Sequence, residues 1–189
     1  MSHFLFGVYP YIAITVMILG AIVRYETEPF TWKSSSSQLL RRKQFVIGSV
    51  LFHVGVLMIL GGHFVGLLTP IAVWDGLGVG HGAKQVFAMA MGGFAGILAL
   101  VGGLILLHRR LTDPRIRANS TLADTGILVL LMLQLTLGLG TIFVSAGHLD
   151  GHEMVKLMQW AQGIAYFGAD PAAHLDGVAL IFKLHILLG

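Results

Sequence analysis

The sequence contains no cysteine. That absence excludes disulfides, thiolate-bound zinc, iron–sulfur ligation and a thiol nucleophile. It also excludes covalent attachment of a c-type haem, which needs a Cys-x-x-Cys-His motif. Any redox group in this chain must be held non-covalently, with histidine the obvious ligand. Charge is scarce as well: only 11% of the 189 residues are charged, less than half of the roughly 25% usual in a soluble domain. No Lys or Arg precedes the first apolar run at Met1-Ser2-His3-Phe4. The charged start of a secretory signal peptide is therefore missing, and the first run is expected to stay as a helix. There is no phosphate loop, Ser-His-Asp set, metalloprotease motif, fixed-period repeat, low-complexity tract or coiled-coil heptad.

What is present is apolar. Hydrophobic residues make up 56% of the chain, and the mean hydropathy is +0.82. The 25 glycines suit helices that pack closely in lipid. The length fits one compact domain. An isoelectric point near 9.5 could point to nucleic acid, but the basic residues sit in short clusters between apolar runs. They mark topology, and no nucleic-acid partner is expected.

A spanning helix needs roughly 20 apolar residues. The sequence predicts an all-α, polytopic membrane bundle in one domain, with five transmembrane helices at about 4–24, 45–69, 86–107, 123–144 and 177–189. The last run is about 20 Å long against a hydrocarbon core of about 30 Å. It is read as incomplete, the sequence stopping within its fifth helix. The segment 145–176 is too polar to span, and a short interfacial helix is expected within it, over about 152–167.

Lys and Arg near the helix ends set the orientation. The first loop holds Arg24, Lys33, Arg41, Arg42 and Lys43, and the third holds Arg109, Arg110, Arg115 and Arg117. The opposite side has only Lys84 and Lys156, with Lys183 inside the fifth run. The first and third loops are therefore expected in the cytoplasm, with the N-terminus outside and the fifth helix entering from outside.

Ionisable groups inside a bilayer are expensive and usually functional. Three histidines lie in the spans: His53 and His63 on the second run and His185 on the fifth. Ten residues separate His53 from His63, about 15 Å along a helix and roughly 80° around it. One haem cannot use both, but two haems at different depths could each use one. His63 lies near the outer end of its helix, and His185 lies roughly 12 Å below the start of its own. Those two could meet across one haem in the outer half. His53 is deeper, and a partner for it would fall past His185 by at least about ten residues, beyond this sequence. The bland alternative for each histidine is a helix–helix hydrogen bond. The other six, His3, His81, His108, His148, His152 and His174, sit in loops or at the interface, where solvated histidines are ordinary.

Gly62 and Gly66 flank His63, Gly55 follows His53, and the third run holds Gly92, Gly93, Gly96, Gly102 and Gly103. Gly lets a backbone recede from a flat porphyrin, but small residues also promote plain helix packing, and both readings stay open. Lys84 stands at the mouth of the third helix. It is either a snorkelling lysine or a cation beside a propionate or a quinone carbonyl. Arg109, Arg110 and Arg117 have a topological role, with a propionate contact or a cytoplasmic partner as the second reading. The eight methionines are most simply core filler.

Several segments carry a family resemblance. They are Val8-Tyr9-Pro10-Tyr11, Phe30-Thr31-Trp32-Lys33-Ser34-Ser35-Ser36-Ser37-Gln38, Leu51-Phe52-His53-Val54-Gly55 and Gly62-His63-Phe64-Val65-Gly66-Leu67-Leu68-Thr69-Pro70. Arg109-Arg110-Leu111, Arg115-Ile116-Arg117-Ala118, Met154-Val155-Lys156-Leu157-Met158-Gln159-Trp160-Ala161-Gln162 and His174-Leu175-Asp176-Gly177-Val178-Ala179 continue it. Taken in order over the whole chain, they resemble the gamma subunit of respiratory nitrate reductase.

The resemblance implies a five-helix cytochrome b subunit of a prokaryotic cytoplasmic membrane, holding two bis-histidine haems b. It implies quinol oxidation near the outer face, with electrons passing through an iron–sulfur beta subunit to a molybdenum-containing alpha subunit that reduces nitrate. His63 and His185 match the outer haem's ligands, His53 matches one ligand of the inner haem, and Lys84 matches the lysine of the quinol site. Gly62 and Arg110 are the further candidate cofactor contacts. The family's second inner ligand lies further along the fifth helix, so the sequence as it stands completes one haem site. The rival readings are a cytochrome b anchor of another quinone-linked reductase, and a haem-free anchor or transporter.

Overall fold

A computed structural model describes residues 2–31 and 37–189. Lys33, and residues 32–36 of the serine-rich motif, lie outside the described residues. The described residues are mostly helical, with no strand among them. The helices are α1 (Tyr9–Thr27), α2 (Arg42–Leu68), α3 (Ile71–Gly76), α4 (His81–Thr112), α5 (Pro114–Ala118), α6 (Leu122–Ser145), α7 (His152–Ala165) and α8 (Leu180–Leu188). A π-helical turn over Phe4–Val8 leads into α1, and a 3-10 turn over Pro171–Leu175 precedes α8.

Local chemistry explains the helix ends. Pro70 cannot continue α2, and the residue before it, Thr69, is extended at φ −66° and ψ 125°. At the end of α4 the same device recurs with Asp113 before Pro114, and Asp113 doubles as the cap of α5. Its carboxylate accepts from the backbone amides of Arg115 at 3.0 Å and Ile116 at 3.4 Å. α6 opens with a reciprocal cap: the Asp124 amide donates to Thr121 Oγ1 at 3.1 Å, and the Thr121 amide donates to Asp124 Oδ2 at 2.8 Å.

α2 lies along α4, α4 along α6, and α6 along α8. Glycine sets the closeness of the first pair. A Cβ added at Gly55 would meet the Ala99 amide nitrogen at 2.5 Å and the Ala95 carbonyl at 2.6 Å. α7 and the 3-10 turn cap one end of the bundle, where Phe6, Ala172, Leu175, Val178 and Phe182 form a buried cluster. α1 buries no residue. It is fixed at this capped end, where Trp160 Nε1 donates to the Phe6 carbonyl at 2.9 Å and Tyr11 stacks on Phe167 with ring centres 5.7 Å apart.

Large apolar side chains cover the flanks of the long helices: Val16, Leu57, Phe64 and Phe87 are 66–69% exposed. Contiguous apolar surface on this scale is rare in water but suits hydrocarbon. Among the described residues four helices are long and apolar enough to cross a membrane: Phe4–Thr27, Arg42–Leu68, His81–Thr112 and Leu122–Ser145. The sequence predicts five. α8 starts where the fifth is expected, but at nine residues it is about 14 Å long, too short to count as a crossing.

Candidate functional site

α2 presents both of its histidines through one local device. His63 Nδ1 lies 2.8 Å from the carbonyl of Ile59, and His53 Nδ1 lies 2.7 Å from the carbonyl of Ser49, each one turn back on the same helix. A carbonyl oxygen only accepts, so Nδ1 carries the hydrogen in each ring, and Nε2 is the nitrogen left for a ligand. A metal-ligating histidine is commonly oriented in this way.

α8 runs beside α6 and brings His185 to His63. The ring centres are 6.2 Å apart and the planes are tilted by 47°. Two metal–imidazole bonds of about 2 Å each, with each ring centre about 1 Å beyond its nitrogen, place two axial imidazoles about 6 Å apart. The pair therefore fits the span of a bis-histidine haem. His185 Nδ1 is buried without a hydrogen-bond partner.

Two α6 residues that sequence reasoning passed over hold His185 in place. A Cβ at Gly138 would meet His185 Cε1 at 2.9 Å, so the absent side chain makes room for the ring. Gln134 Nε2 donates to the His185 backbone carbonyl at 3.0 Å. The signal available in the sequence was a lone amide within an apolar run, one turn before a glycine. His53 sits deeper on α2, edge-on to Phe52 with ring centres 5.6 Å apart.

The glycines divide. Gly48, Gly55 and Gly102 lie in the α2–α4 seam, and Gly96 faces Leu139 of α6. Gly61, Gly62 and Gly66 on α2, and Gly92 on α4, have nothing within 4 Å of an added Cβ.

Lys84 does not snorkel. It is 7% exposed, and its Nζ donates to the Gly66 carbonyl at 2.9 Å, one turn beyond His63. The same nitrogen lies 2.9 Å from Met158 Sδ and 4.4 Å from the centre of the Trp74 ring. Ile71, Trp74, His81, Lys84, Met154 and Met158 line a narrow crevice with no room for a free water molecule. Trp74 Nε1 is buried there with no hydrogen-bond partner. Sequence reading set aside two of these residues, His81 as an interface histidine and Met158 as core filler.

At the opposite end the buried arginine is Arg109, 4% exposed. It donates to the carbonyls of Leu40 and Ser37 and lies over the Phe45 ring, which fixes the start of α2. Arg110 is partly buried beside it. Gly102 packs on Gly48 and Phe52, so Arg110, eight residues on, lies about 12 Å further along the axis. Asp113, 3% exposed, pairs with Arg41 at 2.8 Å. That bond, with the amides of Arg115 and Ile116, holds its carboxyl below the usual carboxylate range against the opposing effect of burial.

Comparison with known proteins agrees with this architecture. The family model described as "Nitrate reductase gamma subunit" matches residues 2–189. The respiratory nitrate reductase 1 gamma chain of Escherichia coli K12 is 48% identical over 189 residues, covering all of this chain and 84% of that protein. The respiratory nitrate reductase 2 gamma chain of the same strain is 47% identical, with 83% of its length covered. The nitrate reductase gamma chain of Bacillus subtilis 168 is 37% identical, with 84% covered. The chain belongs to the nitrate reductase gamma subunit family.

Proposed function

We propose that this chain is the haem b membrane subunit of a respiratory nitrate reductase, and that it oxidises quinol at the α7 end of the bundle. The observation that carries the reading is the 6.2 Å separation of the His63 and His185 rings. A b-type haem bound there supplies one-electron redox chemistry. His63 and His185 would hold it, each through a ring nitrogen, and Gly62 leaves the space beside α2 free. His53 is the ligand presented for a second haem at greater depth, and Arg110 is the cation assigned to its propionates.

Lys84 orients the quinol. Its ammonium already reaches a carbonyl, that of Gly66, so a quinone oxygen replacing that acceptor meets the same donor, with the Trp74 indole hydrogen also uncommitted. The crevice is closed around these groups. Entry requires the flexible side chains of Lys84 and Met158 to swing aside, and an unbranched methionine is suited to that.

The rest of the reading follows the family. α8 is part of a fifth crossing, the α7 end faces outward with the N-terminus, and the basic end carrying α5 lies in the cytoplasm of a prokaryote. There the chain meets an iron–sulfur beta subunit and a molybdenum alpha subunit, to which it delivers electrons for nitrate reduction.

The test is haem per chain, by pyridine haemochrome and reduced-minus-oxidised spectra on detergent-purified protein, for wild type and His63→Ala. The expected result is b-type haem in the wild type and loss of one haem in a variant that stays folded. A folded wild type without haem, or a variant that keeps the full complement, overturns the assignment.

A further inference from the structure

The crevice beside Lys84 contains a second ionisable group for which the proposed function has no use. His81, the first residue of α4, lies one turn before Lys84 and lines the same crevice. Its Nε2 is 2.9 Å from Asp75 Oδ1. The His81 and Asp75 side chains are 39% and 56% exposed, so the pair lies at the edge of the span on the open side of the crevice, whereas Lys84 ends inside it. The turn between α3 and α4 makes this meeting possible. Gly78 takes a φ of +70° there, a conformation open to glycine at no steric cost, and Asp75 is folded back against a residue six positions later. On the other side Gly151 packs against His81, and a Cβ there would meet the His81 Cβ at 2.6 Å. The side chain is thus held at its base by Gly151 and at its ring nitrogen by Asp75.

Oxidation of a quinol to a quinone releases two hydroxyl protons as well as two electrons. The ammonium of Lys84 has donors only and cannot take them. A neutral imidazole with one nitrogen held by a carboxylate can, because the carboxylate fixes the ring and stabilises the imidazolium that forms.

We propose that His81, oriented by Asp75, is the proton acceptor for quinol oxidised in this crevice, an assignment that rests on the quinol-oxidising reading above. Each of the two transfers balances in the same way. A quinol O–H bond breaks, an N–H bond forms at His81 Nδ1, and one electron leaves to the haem b acceptor. His81 then passes its proton to bulk water before the second transfer. Near this end of the surrounding elements the other titratable or charged side chains are His63 on α2, Lys84 on α4, His148 and Asp150 between α6 and α7, and His152, Glu153 and Lys156 on α7. Of these, Glu153 is the rival acceptor, since one of its carboxyl oxygens is buried without a partner.

The experiment measures reduction of haem b by a soluble quinol analogue, as a function of pH, in the purified complex with its partner subunits. A wild type that shows no quinol-dependent reduction sinks the quinol-oxidising reading itself, whatever His81 does. Given an active wild type, His81→Gln is expected to slow reduction about 100-fold, at the low end of the range for a general base. Haem content and the KM for quinol should not change. The fall in rate toward acid pH should disappear in this variant, and a small weak-base buffer should restore part of the rate. Asp75→Asn should show a smaller loss than His81→Gln. Wild-type rates and pH profiles in both variants overturn the proposal, as does finding the loss in Glu153→Gln instead.

Discussion

The two halves of α2 use the same residue type for opposite ends. In the first half Gly48 and Gly55 draw the helix against α4, and at Gly55 no methyl group fits between the two backbones. In the second half, which carries His63, a Cβ added at Gly61, Gly62 or Gly66 would meet no atom within 4 Å. The first set is explained by the protein's own packing. The second is not, and it flanks His63, whose free ring nitrogen has a second imidazole opposite. Small residues in a membrane helix therefore have to be read by what lies beyond them, since spacing alone does not separate a closed seam from a vacant one.

Substitutions in the two halves break or sharpen that contrast. Gly55→Val has the largest expected effect. The added atoms strike backbone rather than flexible side chain, and overpacking of this kind costs about 3 kcal/mol or more. Thermal inactivation in detergent should show a marked loss of folded protein, and wild-type stability would mean that the seam is looser than the structure has it. Gly62→Val should leave stability within about 0.5 kcal/mol of wild type but lower the haem bound per chain. Full haem content in that variant would remove the open stretch around Gly62 from the cofactor site.

The smallest effect belongs to Asp113→Asn, at the basic end of the bundle beside Arg41. The wild-type carboxyl is held below its ordinary range in the folded chain, chiefly by Arg41. It therefore adds stability at neutral pH, which is lost as the pH falls below about 4, through that lowered value. Wild type should be modestly more stable than the variant at neutral pH, and the gap should close in acid. A gap that persists in acid would argue that packing rather than charge is what Asp113 contributes.

Much of this architecture was legible in the sequence because hydrocarbon imposes a simple demand. Long apolar runs had to be helices, and Thr69-Pro70 and Asp113-Pro114 mark two of their ends. The intramembrane histidines stood out for the same reason, being costly groups with no obvious structural need. The residues that were missed lie where that demand relaxes. His81 sits at the edge of the span, where a histidine costs little, and its closeness to Asp75 depends on a glycine turn whose path no periodicity encodes. Arg109 and Arg110 are adjacent and chemically alike, and only the α2–α4 packing decides which of them turns inward to the Ser37 and Leu40 carbonyls. Gln134 and Gly138 become informative once α6 and α8 are side by side, a pairing between segments about 50 residues apart.

The hydrogen bond from His63 Nδ1 to the Ile59 carbonyl also has a consequence for timing. It is local to one helix, so it closes as soon as α2 winds up, with no help from the later half of the chain. The rotational freedom of that ring is surrendered during folding, so an arriving ligand has less disorder left to remove, and affinity rises through preorganisation. His185 has no such bond at its Nδ1 and is synthesised more than a hundred residues later. One half of the pair is thus ready early and stays still, while the other arrives late and closes on it.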